Sequence, residues 1–305
     1  MKTLIIGGNG YVGSALQQHL WQNNYPVDSW DLLLFPQDLN FSIQKDYATA
    51  EEWELADYEN IILLAGHSSV ASCDNNLPSA WQNNVQNFIN LLGKITPQQR
   101  LIYASSSSVY GNSVKKEFWT ESDNNFQPVN VYDLTKYTID QIALYHINQG
   151  YQICGLRFGT VNGSAPNLRV DLMLNSMVAS AMEMAVININ NPGIHRAVLA
   201  IPDLCRAVET LMTTEMFIPG IYNLNSFNGK VAEFAITVAK LTQSDIEQNT
   251  DKPGVYDFKL DNTKFCNTYN FEFQCTVASV IEDLKQNYQH CNGSIRNQNW
   301  KYDVE

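Results

Sequence analysis

Short apolar segments alternate with amphipathic stretches through the first half of the chain. The apolar segments that predict buried strands cover residues 3–7, 26–31, 61–65, 101–104 and 152–157. The patterns that predict helices between them cover residues 12–20, about 79–94 and about 131–148. Strands separated by helices imply crossover connections and a parallel sheet that is buried on both faces. The pattern therefore predicts an α/β fold with a Rossmann-type doubly wound parallel sheet, and the loops that follow its strands should form one ligand-binding edge.

The hydrophobic pattern is less regular after Phe158. A stretch rich in Pro, Gly and Asn at 161–168 precedes a Met-rich helix predicted over 171–184, whose methionines we interpret as core residues. Residues 197–201 and 220–224 have strand patterns and are predicted to return to the sheet. The last dozen or so residues are polar and predict a loosely held tail. The second half therefore predicts a smaller lobe beside the main sheet.

Composition and charge exclude several classes of protein. A net charge of −12 over 305 residues argues against a nucleic-acid partner, because phosphate binding requires a basic surface. No apolar run approaches the roughly 18 residues that span a bilayer, and the first one leads directly into a glycine loop rather than a secretory cleavage site. The six cysteines have no C-x-x-C spacing and predict reduced thiols without a metal site. We therefore expect a cytoplasmic protein without a membrane, nucleic-acid or metal partner.

A glycine loop follows the first predicted strand. The sequence GGNGYVG places glycines at positions 7, 10 and 13. Gly7 permits the tight strand-to-helix turn, Gly10 lets the backbone approach a pyrophosphate, and Gly13 allows close packing of the helix on the strand. The amide groups and the positive end of the helix dipole would then face the phosphates. This motif, between a strand and a helix, predicts a dinucleotide site.

Asp31 ends the second predicted strand, 24 residues after Gly7. A carboxylate at this place accepts hydrogen bonds from the adenosine ribose hydroxyls and repels a 2′-phosphate, which favours NAD over NADP. Asp28 is the alternative, and the strand register favours Asp31.

Tyr132 and Lys136 are four residues apart, so they share one face of the predicted helix. The ordinary pKa of tyrosine is about 10, and a nearby ammonium group favours the phenolate that acts as a base. None of the other tyrosines among the 15 is followed by lysine at this spacing. The pair follows a serine run at positions 105–108, from which a hydroxyl would hold the substrate oxygen. Together these groups predict proton transfer at a hydroxyl or carbonyl.

The chain resembles the extended short-chain dehydrogenase/reductases of the NAD-dependent epimerase/dehydratase family, typified by UDP-galactose epimerase. The motifs that carry the resemblance are GGNGYVG, Asp31, Lys45-Asp46-Tyr47, Leu64-Ala65-Gly66, Asn83-Asn84-Val85, SSSSVYG, Tyr132 with Lys136, and Leu156-Arg157-Phe158-Gly159. They extend over nearly the whole length of the chain.

The resemblance implies an NAD-dependent enzyme whose catalytic group is Ser106, Tyr132 and Lys136, with Ser107 as the second choice for the hydroxyl. The cofactor-binding residues that it implies are Gly7, Gly10, Tyr11, Val12, Gly13, Asp31, Leu32, Asp46, Tyr47, Leu64, Ala65, Gly66, Asn84, Tyr132 and Lys136. Lys136 would also hold the nicotinamide ribose, and Tyr132 would exchange the proton of a sugar hydroxyl. The substrate-binding residues would be Ser106, Tyr132, Arg169, Asn175 and Arg196, with Arg196 gripping a sugar-nucleotide pyrophosphate.

Two departures from the family pattern narrow the expected substrate and reaction. Dehydratases of the family carry acidic residues directly after the catalytic hydroxyl, whereas this chain has Ser107 and Ser108. Thr160 stands where the family often has an asparagine that contacts the nucleotide phosphates. The first departure argues against dehydration, and the second weakens the assignment of a nucleotide-linked substrate.

We therefore predict an NAD-dependent epimerase of the sugar-nucleotide class. The alternatives are a ketoreductase or dehydrogenase acting on a sugar or related hydroxyl compound, and a non-catalytic NAD-binding regulator. The predicted cofactor domain comprises residues 1–160 with segments 197–213 and 220–225, and the substrate-binding lobe comprises 161–196 and 226–305. The resemblance also implies a homodimer that pairs through the helices at about 79–94 and 131–148.

Overall fold

The computed structural model describes residues 1–34, 42–111, 118–123, 126–252 and 256–288. The predicted polar tail over the last dozen residues lies outside these ranges.

The described chain alternates strands and helices. The strands are β1 Thr3–Ile6, β2 Val27–Asp31, β3 Ile43–Gln44, β4 Asn60–Leu63, β5 Arg100–Ser106, β6 Gln152–Phe158, β7 Thr160–Asn162, β8 Val186–Ile189, β9 His195–Ala200, β10 Gly220–Leu224, β11 Phe227–Lys230 and β12 Asp245–Gln248. The α-helices are α1 Tyr11–Gln22, α2 Glu52–Leu55, α3 Val70–Asn75, α4 Leu77–Trp81, α5 Asn87–Leu92, α6 Val131–Asn148, α7 Met173–Met184, α8 Ile201–Thr213, α9 Val231–Thr242, α10 Thr263–Tyr269 and α11 Val277–Asn287. The helix predicted over about 79–94 is α4, a π-helical turn at Gln82–Gln86 and α5 in succession.

Seven parallel strands form the central sheet in the order β10-β6-β5-β4-β1-β2-β3. From β1 the chain moves to one side through β2 and β3, and from β4 it moves to the other side through β5 and β6. This reversal opens a crevice beyond the carboxyl ends of β1 and β4, which is where doubly wound sheets bind ligands. The predicted fold class is confirmed.

Both faces of this sheet are buried, as its continuous apolar strands require. Ile5, Ile62 and Ile102 belong to one core cluster, while Leu4 and Leu101 belong to the cluster on the opposite face. Side chains of a strand alternate between faces, so an unbroken apolar strand supplies both clusters at once. The first cluster continues through α7, α8, α9 and α11, so the smaller lobe shares a core with the sheet.

Two small sheets lie beside the large one. β9 pairs parallel with β7 and antiparallel with β11, and β12 pairs with β8. The prediction that residues 197–201 return to the large sheet is therefore wrong, because β9 finds its hydrogen-bond partners in the lobe. The prediction for residues 220–224 is confirmed, since β10 pairs with β6 at the edge of the large sheet.

The methionines of α7 divide between core and surface. Met177 is buried in the first core cluster, as the sequence predicts, but Met182 and Met184 are 38% and 61% exposed, so the core interpretation is wrong for them. Within the described ranges, no helix combines the length and the apolar character that a bilayer span needs.

Candidate active site

The glycine loop forms a narrow turn against the loop that follows β4. Gly7 has φ +91°, and a Cβ atom there would lie 2.5 Å from the backbone nitrogen of Ala65. A Cβ atom on Gly13 would lie 2.2 Å from the carbonyl oxygen of Gly7. Gly10 is the N-cap residue of α1, which has neither a side-chain cap nor an acidic residue in its first turn. The turn therefore leaves a backbone cradle at a helix N-terminus, and this cradle fits the pyrophosphate of a dinucleotide.

Asp31 lies beside this cradle. Its Oδ2 accepts a hydrogen bond from the Asn9 amide at 2.9 Å, and its Oδ1 accepts one from the Leu33 amide at 2.8 Å. The neighbouring Leu32 is 42% exposed. The alternative carboxylate, Asp28, accepts a hydrogen bond from the Tyr58 hydroxyl at 2.7 Å and so is engaged elsewhere. The structure thus brings Asp31, and not Asp28, to the glycine loop.

Asp46 and Tyr47 lie at the start of a 3-10 turn. The exposed Asp46 carboxylate accepts a hydrogen bond from the Ala48 amide, while Tyr47 is buried and donates its hydroxyl to the Asn83 carbonyl at 3.0 Å. Asp46 is therefore available at the surface as a ligand contact, whereas the Tyr47 side chain is part of the core.

Asn84 connects the loop after β4 with helix α6. Its Oδ1 accepts a hydrogen bond from the His67 amide at 2.8 Å, and its Nδ2 donates to the His67 carbonyl and to Thr135 Oγ1, each at 3.1 Å. The preceding Gly66 approaches so closely that a Cβ atom there would lie 2.8 Å from Asn84 Oδ1. Asn84 sits in the π-helical turn, a distortion that often accompanies functional sites. Its side chain therefore ties the loop after β4 to α6.

One cavity at the carboxyl edge of β4, β5 and β6 joins the three catalytic candidates with part of the predicted cofactor site and the two predicted arginines. The predicted site residues in its wall are Tyr11, Val12, Leu64, Gly66, Ser106, Ser107, Tyr132, Lys136, Arg169 and Arg196. Ser108 and Thr160, which depart from the family pattern, also line it. They come from segments as far apart as the glycine loop and β9, and only the fold assembles them.

The three catalytic candidates converge in this cavity. Ser106 is the last residue of β5, and Tyr132 and Lys136 occupy the first two turns of α6. Lys136 Nζ donates to the Ala104 carbonyl at 2.7 Å and lies 5.9 Å from the centre of the Tyr132 ring. The N-cap residue Asn130 accepts a hydrogen bond from the Asp133 amide. The helix therefore begins at Val131, and its first two turns carry Tyr132 and Lys136 at the cavity wall.

Burial perturbs both titratable members of the group. Burial raises the pKa of Tyr132 to about 12, while a hydrogen bond with the Ser106 side chain and the charge of Arg169 oppose this shift. Burial lowers the pKa of Lys136 to about 8. The phenol is therefore protonated at neutral pH, and a positive charge beside it would favour its ionisation.

The two predicted arginines have different surroundings. Arg169 forms an ion pair with Asp171 at 2.6 Å. Arg196 donates to Thr160 Oγ1 at 3.1 Å and to the Tyr256 carbonyl at 3.4 Å, and no carboxylate of the described residues lies within 4 Å of it. Burial lowers the pKa of Arg196, and the nearby Tyr256 and Asp257 only partly oppose this shift. Arg169 is already paired with a carboxylate, so Arg196 is the better candidate to bind an anionic ligand group.

Asn175 does not line the cavity. It is 1% exposed, and its side chain bonds the Gly163 amide at 3.0 Å, the Tyr11 hydroxyl at 3.0 Å and the Arg169 carbonyl at 2.8 Å. The structure therefore corrects its role: Asn175 supports two wall residues from behind instead of forming part of the wall.

Sequence reasoning missed several wall residues. His67, Ser68 and Ser69 line the cavity from the loop after β4, and Tyr256 and Phe258 line it from the C-terminal part of the chain. The first group directly follows the Leu64-Ala65-Gly66 motif, which could have pointed to it. Tyr256 and Phe258 alternate around Asp257, a pattern too short to distinguish a wall strand from any other extended segment.

Comparisons with known proteins agree with this geometry. Residues 3–224 match the model of the NAD dependent epimerase/dehydratase family. The chain is 30% identical over 234 residues to Protein CapI of Staphylococcus aureus, covering 70% of this chain and 69% of that protein. It is 35% identical over 115 residues to UDP-glucuronate 4-epimerase 4 of Arabidopsis thaliana, which covers 36% of this chain and 26% of that protein.

A solved structure shows the same fold. The UDP-glucuronic acid 4-epimerase from Bacillus cereus, in complex with UDP-glucuronic acid and NAD, superposes with a TM-score of 0.82 at 22% identity, covering 95% of this chain and 99% of that one. The predictions of an enzyme, of NAD as its cofactor and of an epimerase-type extended short-chain dehydrogenase/reductase are confirmed. The chain belongs to the NAD-dependent epimerase/dehydratase family.

Proposed function

We propose that the protein is an epimerase that inverts the configuration of a hydroxyl-bearing carbon in a nucleotide-linked sugar acid. UDP-glucuronic acid is the first substrate to test. The observation that carries the proposal is the convergence of Ser106, Tyr132 and Lys136 with two arginines in one cavity beside the dinucleotide cradle. Relatives named UDP-glucuronate 4-epimerase support the substrate class.

Tyr132 would remove the proton of the reacting hydroxyl. Its phenolic oxygen lies beside Ser106, whose hydroxyl would hold the substrate oxygen during the transfer. The positive charge of Lys136 favours the phenolate. Burial lowers the pKa of this ammonium group to about 8, which still leaves it mostly charged at pH 7. When bound, NAD would supply reversible hydride transfer at the carbon that bears this hydroxyl. Tyr132 then gives its proton back, so neither the proton nor the cofactor is consumed.

The charge of the cavity suits an anionic substrate. Arg169 and Arg196 reach its wall, although the whole chain carries a net charge of −12. We assign Arg196 to the pyrophosphate, because it has no carboxylate partner among the described residues and guanidinium–phosphate contacts are strong. Ser107 and Ser108 replace the acidic residues of dehydratases, so the wall beside Ser106 would not repel a sugar carboxylate.

The test is turnover of purified protein with UDP-glucuronic acid, followed by chromatographic separation of the C4 epimers. We expect the epimer to appear without any net change in absorbance at the reduced-nicotinamide band. Stoichiometric formation of reduced cofactor would instead identify a dehydrogenase. UDP-glucose under the same conditions tests whether the carboxylate is required.

Replacing Tyr132 by Phe removes the exchangeable proton and keeps the ring. We expect kcat to fall at least about a hundredfold, because acid–base catalysis contributes about 10²–10⁴-fold. Bound NAD, measured after release by denaturation, should remain near the level of the unchanged protein. Undiminished turnover in this variant would refute the proposed function.

We further propose that the protein is a cytoplasmic homodimer. The helices predicted to pair, α4–α5 and α6, pack against each other and expose Trp81, Ile89, Leu134 and Tyr145, each at least 39% accessible. Exposed apolar side chains on adjacent helices favour association. All cysteines in the described ranges are free thiols, which suits a reducing compartment. Light scattering should give twice the 34.5 kDa chain mass, and a Leu134→Glu, Tyr145→Glu double variant should be monomeric.

A further inference from the structure

A buried carboxylate directly follows the catalytic tyrosine. Asp133 is 0% exposed, and no lysine or arginine of the described residues lies within ion-pair distance of it. It accepts hydrogen bonds from the Val129 amide at 3.2 Å and from Asn130 Nδ2 at 3.1 Å. A buried carboxylate without a cation is costly, and its hydrogen-bond partners must supply the compensation. Burial accordingly raises its pKa. Helix capping alone does not require so buried a group, because Asn130 already caps α6.

Asp133 is linked on one side to the catalytic hydroxyl. Ser106 Oγ lies 2.8 Å from Ser108 Oγ and accepts a hydrogen bond from the Ser108 amide at 3.2 Å. The Ser108 hydroxyl in turn interacts with the Asp133 carboxylate and lowers its pKa. Ser108 therefore stands between the carboxylate and the hydroxyl that meets Tyr132.

On its other side Asp133 is linked to the arginine end of the cavity. The Tyr256 hydroxyl donates to both carboxylate oxygens, at 2.8 and 2.9 Å, and accepts from Asn130 Nδ2 at 2.6 Å. The Tyr256 carbonyl accepts from Arg196, whose guanidinium carbon lies 5.8 Å from the centre of the Tyr256 ring. Tyr256 lines the cavity itself and is 123 residues away from Asp133 in the chain.

We propose that Asp133 is a positioning residue that couples the Ser106–Tyr132 acid–base pair to the Arg196 side of the cavity, through Ser108 in one direction and Tyr256 in the other. The inference rests on the proposed function, because it takes Tyr132 as the base. A ligand that draws Arg196 towards itself moves the ring and carbonyl of Tyr256. The buried, hydrogen-bonded Asp133 carboxylate transmits this restraint to Ser108 and Ser106. Correct binding of the remote anionic group thereby fixes the hydroxyl that holds the reacting oxygen.

The charge of Asp133 has a second consequence, which a purely structural role would lack. A carboxylate beside Tyr132 raises the pKa of the phenol. Replacing Asp133 by Asn keeps the size and an acceptor oxygen but removes the charge, so the pKa of Tyr132 should fall. The acidic limb of the kcat–pH profile should then move to lower pH.

The test compares Asp133→Asn with Asp74→Asn in the holoenzyme, using UDP-glucuronic acid. Asp74 is exposed and accepts a hydrogen bond from the Val131 amide at 3.4 Å, so it carries a similar charge near the same helix end without contacting Ser108 or Tyr256. We expect Asp133→Asn to lower kcat at least tenfold and to shift the acidic limb, while Asp74→Asn changes kcat less than twofold. A kcat within twofold of the unchanged protein together with an unmoved profile would overturn the inference.

A second measurement keeps the inference testable if Asp133→Asn does not fold. Ser108→Ala and Tyr256→Phe each remove one link and leave the carboxylate in place. Ser108→Ala should lower kcat, Tyr256→Phe should raise KM and lower kcat, and the double variant should lose less than the product of the two single effects. Independent, multiplicative effects would contradict the coupling. If Tyr132→Phe is inactive while these variants behave like the unchanged protein, the coupling fails and the proposed function stands. If Tyr132→Phe keeps its activity, both fail.

Discussion

Lys136, in the candidate active site, illustrates how a buried charged group can reduce stability. Burial lowers its pKa from 10.5 to about 8. At about 1.4 kcal/mol per pH unit, holding this ammonium charged in the folded protein at pH 7 costs about 3 kcal/mol relative to the unfolded chain. The side chain also donates to the Ala104 carbonyl at 2.7 Å, a bond that contributes about 1–2 kcal/mol.

We therefore expect Lys136→Met to be inactive and yet more stable than the unchanged protein by about 1–2 kcal/mol at pH 7. The measurement is urea unfolding of both proteins after removal of the cofactor. Lys240→Met, at an exposed position on α9, is the control and should change the free energy of unfolding by less than about 0.5 kcal/mol.

The pH dependence separates the charge from other effects of the substitution. A lysine whose pKa is lower in the folded state makes the unfolded state bind more protons between the two pKa values, so stability contributed by this group rises with pH from about 8 towards 10.5. The advantage of Lys136→Met should be constant below pH 7.5 and shrink above pH 8. A variant that is less stable at pH 7, or an advantage that does not change with pH, would refute the reasoning.

Three further substitutions test other parts of the structure. Gly7→Ala should abolish NAD retention and lower the Tm far more than Gly150→Ala. The two glycines have nearly the same φ, +91° and +92°, but only a Cβ atom at Gly7 would meet backbone, at 2.5 Å. Equal losses of Tm would show that backbone strain, and not the lack of space, determines the effect. Arg157→Met should lower the free energy of unfolding, measured in urea, by about 3–5 kcal/mol, because it leaves the fully buried Asp140 carboxylate without the guanidinium that lies 2.8 Å from it. A loss below about 1 kcal/mol would count against an ionised pair. Arg196→Ala should raise KM for UDP-glucuronic acid about tenfold or more through a lost charged hydrogen bond, with bound NAD unchanged as the check on cofactor binding.

The local parts of the site follow from short-range patterns. The glycine loop, Asp31 and the Tyr132–Lys136 pair each depend on spacing within one strand, one turn or one helix, and helix α6 has the bounds that its pattern predicts. Such features are legible because backbone conformation and helix periodicity are set by neighbouring residues.

The errors arose where partners are distant in the chain. The strand pattern at β9 is correct, but the choice between the large sheet and the lobe depends on β7 and β11, which lie elsewhere in the sequence. Asn175 was predicted as a wall residue, and only the tertiary contacts of α7 show that it is bonded to Tyr11 and Gly163.

By itself the sequence determined the fold class, the position of the glycine loop and the placement of Tyr132 and Lys136 on one helix face, because each of these is encoded in local periodicity and spacing. The tertiary structure alone decided that Tyr256 meets Asp133, that Arg196 lacks a carboxylate partner among the described residues and that Asn175 stands behind the wall. These contacts join segments up to 164 residues apart. Their partners are chosen by how layers pack around a shared core, and no short stretch of sequence contains that information.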